Sequence, residues 1–251
     1  MLPFTAEELI IILLALALGG LVKGVTGLGL PLVTVPVLAG FLGVERAVLI
    51  MIIPAIVLNA YQVVSHRDQL RALPEWWRLM LAGVPGAAFG ATVLHLASER
   101  FLATMLGVWL LAYLGFRILH PRFALGLPAR RRWSPVAGAL AGALQAATGI
   151  SAPIVAAYAD ALGLSPRAYV FAVCAPFGAF AVTHLMLVSS AGLYTADILT
   201  QSLLAVLPAL AAIPVGARLR HLISATSFDL VVRLMLVVMS LRLFYRAWVE
   251  L

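Results

Sequence analysis

Ten carboxylates, one lysine and one cysteine are all that the 251 residues contain of those groups, and charged side chains make up only 11% of the chain. Each scarcity removes a class of function. Cys174 stands alone, so no internal disulfide and no multi-cysteine metal site is possible. Glu7, Glu8, Glu45, Asp68, Glu75, Glu99, Asp197, Asp229 and Glu250 lie at the ends of apolar segments, and only Asp160 approaches an apolar interior. A cation pump or metal exporter needs several buried carboxylates, so no metal is expected. Catalytic signatures are missing too: there is no His-Glu-x-x-His and no P-loop. Gly149-Ile150-Ser151-Ala152-Pro153 falls one residue short of a nucleophile elbow. Neither an enzyme nor a cofactor is expected. The first residues lack the basic stretch of a cleaved signal peptide, and no appended soluble domain is expected.

Apolar surface is what the chain has. Hydrophobic residues form 63% of it, with a mean hydropathy of +1.07, against about half apolar and about a quarter charged in a soluble domain. The apolar runs are continuous rather than alternating, which favours a polytopic α-helical membrane protein over a β-barrel. The net charge of +7 would suggest nucleic acid in a soluble protein. Here the arginines cluster between apolar runs and set membrane orientation instead, so the expected surroundings are a lipid bilayer and no nucleic acid.

One pattern occurs twice: Val22-Lys23-Gly24-Val25-Thr26-Gly27-Leu28-Gly29-Leu30-Pro31 and Leu144-Gln145-Ala146-Ala147-Thr148-Gly149-Ile150-Ser151-Ala152-Pro153. The Thr-Gly pairs are 122 residues apart, near half the chain. Five apolar segments are read in each half, about 9–22, 28–42, 47–64, 79–96 and 101–119, then 136–144, 150–162, 168–188, 198–216 and 228–249. The first two of each half are short against the roughly 17–25 residues of a span. They form either short tilted helices or a re-entrant hairpin, so 8–10 transmembrane helices are expected. The domain reading is a first repeat at 1–120, a basic cytoplasmic linker at 121–133 and a second repeat at 134–251.

The connection with Arg117, Arg122, Arg130, Arg131 and Arg132 is placed in the cytoplasm by the positive-inside rule. Counting outward puts Arg67, Arg71, Arg167, Arg218 and Arg220 inside as well, and both termini outside. Each half then has an odd number of crossings, so the halves run in opposite senses as an inverted repeat. Helix interruptions at corresponding places of such halves point to a transporter's binding site.

Lys23, Thr26, Gly27, Gly29, Gln145, Thr148, Gly149 and Ser151 are the site candidates at these interruptions. Lys23 either draws an anion into a cleft or snorkels to the interface; its repeat partner is the neutral Gln145. Hydroxyls, backbone N–H groups and helix N-termini beginning at Pro31 and Pro153 suit an anion. The structural alternative is close packing through Gly20-xxx-Gly24, Gly86-xxx-Gly90 and Gly138-xxx-Gly142, faces that would also permit a homodimer. Asn59 either bonds a substrate oxygen or another helix. His184 and Asp160 are candidate proton carriers, against a packing histidine and a helix-end aspartate. With so few buried acids, the expected substrate is a small anion.

The two motif copies, with Pro85-Gly86-Ala87-Ala88-Phe89-Gly90, resemble the TauE/SafE family of sulfite exporters along nearly the whole chain. Leu28 and Leu30 around Gly29, and Ser151-Ala152, depart from a more glycine-rich form of the motif. The resemblance implies secondary transport of sulfite or a small organosulfonate, often outward, across the bacterial inner membrane. The expected mechanism is alternating access about the two Thr-Gly breaks, meeting near the midplane. A passive anion channel with paired re-entrant loops shares these features; an intramembrane enzyme or assembly subunit fits them poorly.

Overall fold

The computed structural model describes residues 5–26, 29–72, 76–119, 127–160, 162–219, 222 and 224–251. Gly27, Leu28, Glu75, Arg122, Arg220 and His221 therefore lie outside the described residues. Among the described residues ten α-helices follow one another: α1 (Ala6–Thr26), α2 (Leu30–Leu42), α3 (Val44–Ser65), α4 (Trp76–Leu96), α5 (Glu99–Leu119), α6 (Leu127–Thr148), α7 (Ala152–Asp160), α8 (Pro166–Ser190), α9 (Ala196–Leu219) and α10 (Ala225–Tyr245). A 3₁₀ turn covers Arg67–Ala72, a π turn covers Arg246–Glu250, and no strand occurs among the described residues. Among the described residues six helices, α1, α3, α4, α5, α8 and α9, are long and apolar enough to cross a membrane. The all-helical, multi-pass character expected from the sequence is what the fold has.

Only the second segment of each half is short. The helices α2 and α7 have 13 and 9 residues, whereas α1 and α6 have 21 and 22. Apolar runs under-measure α1 and α6 because polar residues sit inside them. Lys23 rides the last turn of α1, and Arg130–Trp133 lie within the first turns of α6.

Helix starts follow local capping chemistry. Thr5 and Glu8 form a reciprocal capping box on α1, each side chain accepting the other's backbone N–H at 3.1 Å. Ser98, Ser165 and Thr195 cap α5, α8 and α9 through Phe101, Ala168 and Ile198 N–H. For α3 the cap is distant in sequence: Val44 N–H donates to Glu99 Oε1 at 2.6 Å. The start of α2 is different, because its N-cap is Gly29 and no side chain caps it.

The chain gathers into two compact units, and their division falls inside α3 at Pro54. The first unit contains Met1–Pro54, Leu96–Leu119 and Tyr194–Leu251. Here α1 lies along α9, α2 packs on α1, and α10 packs on α2 and α5. Glycine permits the α1–α9 contact: a Cβ on Gly20 would sit 2.5 Å from the Ala209 carbonyl oxygen, and one on Gly216 would overlap that of Leu21. Arg46 pairs with Glu8 and donates from Nε to Gln201 Oε1 at 3.1 Å, tying α1, α3 and α9 together.

Proline in α3 creates a demand within this unit. Pro54 has no N–H, so the Ile50 carbonyl four residues earlier loses its helical donor. Ser202 on α9 supplies it, donating to Ile50 O at 2.7 Å and accepting from Ile53 N–H at 3.3 Å.

The second unit contains Ala55–His95 and His120–Leu193. Its α8 packs on α6, α7 and the 3₁₀ turn, and Leu187 of α8 covers a small core of Ala87, Ala91 and Ala146. Glycine again allows backbone contact, here between α4 and α6. A Cβ on Gly142 would overlap the Gly83 carbonyl, and one on Gly90 would overlap that of Ala143. Gly20 meets Ala209 as Gly142 meets Gly83, and Gly216 meets Leu21 as Gly90 meets Ala143. The Gly-xxx-Gly faces are thus filled within the chain, so they are not the surface of a homodimer.

Two substitutions probe these contacts. Gly142→Val places side-chain atoms against a backbone carbonyl that has no room to yield, and is expected to cost about 3 kcal/mol or more. Gly115→Ala, where nothing lies within 4 Å, is expected to gain about 0.5–1 kcal/mol; unfolding in detergent reads both. Ser202→Ala is expected to cost about 1–3 kcal/mol by orphaning the Ile50 carbonyl. In a Pro54→Ala background, where residue 54 regains its N–H, most of that cost should vanish in a double-mutant cycle.

Candidate functional site

Helix ends and restarts coincide at the two motifs. The helices α1 and α6 end at Thr26 and Thr148, α2 and α7 begin at Leu30 and Ala152, and α3 and α8 begin at Val44 and Pro166. Every pair is 122 residues apart. The first break lies in the first unit and the second break in the second.

At the second break the side-chain hydroxyls bond within the break itself. Gly149 has φ 71°, a left-handed turn that favours glycine, and its N–H donates to Gln145 O at 2.9 Å. Thr148 donates its hydroxyl proton to Leu144 O at 2.7 Å and accepts from Ile150 N–H at 3.2 Å. Ser151 donates to Gln145 Oε1 at 2.6 Å. Thr148 and Ser151 are fully buried. Their hydroxyl protons are committed to the break itself, and the side-chain NH₂ of Gln145 is one of the donors left without a partner among the described residues.

The first break has the same beginning. Thr26 donates to Val22 O at 2.8 Å, the counterpart of Thr148 on Leu144. Gly29 takes φ 94°, and Pro31 stands in the first turn of α2. The first N–H groups of a helix have no partner within it and carry partial positive charge. Thr34 on α2 holds the pair closed by donating to Ala15 O at 3.2 Å. Lys23 is only 7% exposed, the same value as Gln145. Its ammonium pairs with no carboxylate among the described residues.

The other candidates sit in the second unit. Asn59 on α3 and His184 on α8 are buried, and Asn59 Oδ1 and His184 Nε2 have no partner among the described residues. Asp160 is the last residue of α7 and is exposed, outside any apolar interior. Cys174 is fully buried. No group of His, Cys, Asp and Glu able to hold a metal occurs among the described residues. Sequence reasoning missed Ser202 and Gln201 on α9. Pro54 signals that some donor must come, but not from where.

Thr148 thus shapes the break through its hydroxyl. Thr148→Val is expected to cost about 1–2 kcal/mol by removing the hydroxyl's bonds to Leu144 O and Ile150 N–H, while Thr148→Ser stays near wild type. Unfolding midpoints in detergent decide; equal losses in both would remove the hydroxyl from this role.

A family model described as sulfite exporter TauE/SafE matches residues 11–243. No curated protein matches the chain, and no solved structure does. The match runs from within α1 to within α10 and includes both breaks. With a multi-pass helical fold and a match over nearly its whole length, the chain belongs to the TauE/SafE sulfite exporter family.

Proposed function

We propose that the protein is a secondary transporter that exports a small oxyanion, sulfite or an organosulfonate, by alternating access. The observation that carries this reading is the pair of buried donors, Lys23 and Gln145, one in the last turn of the helix before each break. A buried ammonium is costly in an apolar setting, by at least about 2.5–3.5 kcal/mol at a bilayer centre. An anion relieves that cost. The N-terminus of α2, uncapped by any side chain, adds backbone donors of the same polarity. Elsewhere in the chain Glu99 already occupies such a helix start, at α3.

Gln145 contributes direction rather than charge. Ser151 holds its carbonyl oxygen, so the amide donors have a fixed bearing. Gly29, Gly149 and, outside the described residues, Gly27 let the backbone approach the ligand, with Thr26, Thr148 and Ser151 maintaining the shape. Asn59 joins as a further polar contact. His184, buried with one nitrogen unpartnered, is assigned proton coupling in preference to the exposed Asp160. The equal spacing of helix ends supports an inverted repeat of 1–120 and 134–251. Membership of the family supports a bacterial inner membrane location, and arginine placement supports both termini lying outside the cytoplasm.

Sulfite flux into or out of liposomes containing the purified protein tests the reading. Lys23→Gln is expected to lower flux about tenfold or more, the equivalent of one charge-assisted hydrogen bond, and Lys23→Arg to retain more of it. Unchanged flux in Lys23→Gln would remove Lys23 from the site. A pH gradient should drive accumulation in wild type and fail to do so in His184→Gln; flux that only runs downhill would mark a channel.

A further inference from the structure

The geometry points to a binding site for an anionic phospholipid on the second unit, separate from the breaks. A cavity of about 610 Å³ runs between α3, α4, α8 and the 3₁₀ turn, and almost all its lining is apolar. It opens outward: Leu70, Trp77 and Val182 on its walls are 62%, 55% and 44% exposed. Along α8 the lining extends from Phe171 to Val182, about 16 Å at 1.5 Å per residue. That is about half of a 30 Å hydrocarbon core, the depth of one leaflet. A channel of this length and polarity accepts an acyl chain and offers nothing to a small oxyanion.

Charge fixes the headgroup. One end of the groove is the end where α3 finishes, the 3₁₀ turn runs and α4 begins. Arg78 lies 5.5 Å from the centre of the Trp77 ring that walls the groove. Arg67 opens the 3₁₀ turn whose Leu70 also lines it. Neither arginine pairs with a carboxylate among the described residues, and Asp68 is already engaged by Arg167 at 3.4 Å. The segment from Ser65 to Arg78 together with Arg167 holds four arginines against Asp68 and Glu75. Cations at the end of an apolar groove select an anionic phosphate with an attached chain, as basic juxtamembrane groups do.

Full-length protein, delipidated in detergent, provides the test. Dioleoyl-phosphatidylglycerol should raise the unfolding temperature saturably and remain bound in native mass spectrometry. Dioleoyl-phosphatidylcholine, with the same chains, should bind several-fold more weakly, and inorganic phosphate should give no shift. Ala179→Phe, which fills the groove, should abolish the effect, and Arg78→Gln should weaken phosphatidylglycerol about fivefold. If Ala179→Phe does not fold, Val182→Trp at the rim tests the same space. Equal binding of both lipids, or phosphatidylglycerol binding that survives the groove and arginine variants alike, overturns the assignment. So does a dimer whose formation shields Trp77 and which lipid does not displace.

Discussion

Backbone groups at a helix break in an apolar interior have to find partners without help from water, and much of the local structure answers that requirement. The second break meets it internally, through Thr148, Gly149 and the Ser151–Gln145 bond. The break in α3 at Pro54 meets it from outside, through Ser202. The start of α3 uses a carboxylate, Glu99. The start of α2 stands apart, since Gly29 brings no side chain to it. At the breaks, the donors without a partner among the described residues include the Gln145 amide and the first turn of α2, and Lys23 pairs with no carboxylate there.

This accounting changes what the hydroxyls of the Thr-Gly motifs do. From residue type alone Thr148 and Ser151 are as suitable for binding an anion as any donor. Each has one hydroxyl proton, and each proton is given to an acceptor of the same break. The hydroxyls thus stabilise the interruption. Gln145 joins them through its carbonyl oxygen, while its NH₂ has no partner among the described residues.

The breaks were legible in the sequence because glycine and proline act locally: Gly29, Pro31, Gly149 and Pro153 stand where the helices stop and restart. So was the helical membrane class, which rests on composition. Helix lengths were less so, since Lys23 and the arginines of α6 interrupt apolar runs without interrupting helices. Partners remote in sequence were not legible. Nothing at Pro54 names Ser202, and nothing at Val44 names Glu99. The Gly-xxx-Gly spacing announced close packing, yet gave no means of telling a partner helix in the same chain from one in another copy.

The glycine contacts also show how the two sequence halves combine. The helix α1 meets α9, and α6 meets α4, through carbonyl approaches at matching positions. Each contact joins the first helix of one half to the fourth helix of the other. Neither half therefore contains both sides of its own glycine seam, and each compact unit takes helices from both. Lys23 and Gln145 hold corresponding places in the two halves, each in the last turn of the helix before a break. They share position and burial and differ in charge: Gln145 accepts from Ser151, whereas Lys23 pairs with no carboxylate among the described residues. A second ammonium at residue 145 would add another desolvation cost, with no buried carboxylate among the described residues to offset it. On the proposed reading charge recognition rests on Lys23, and Gln145 supplies a neutral donor that carries no such cost.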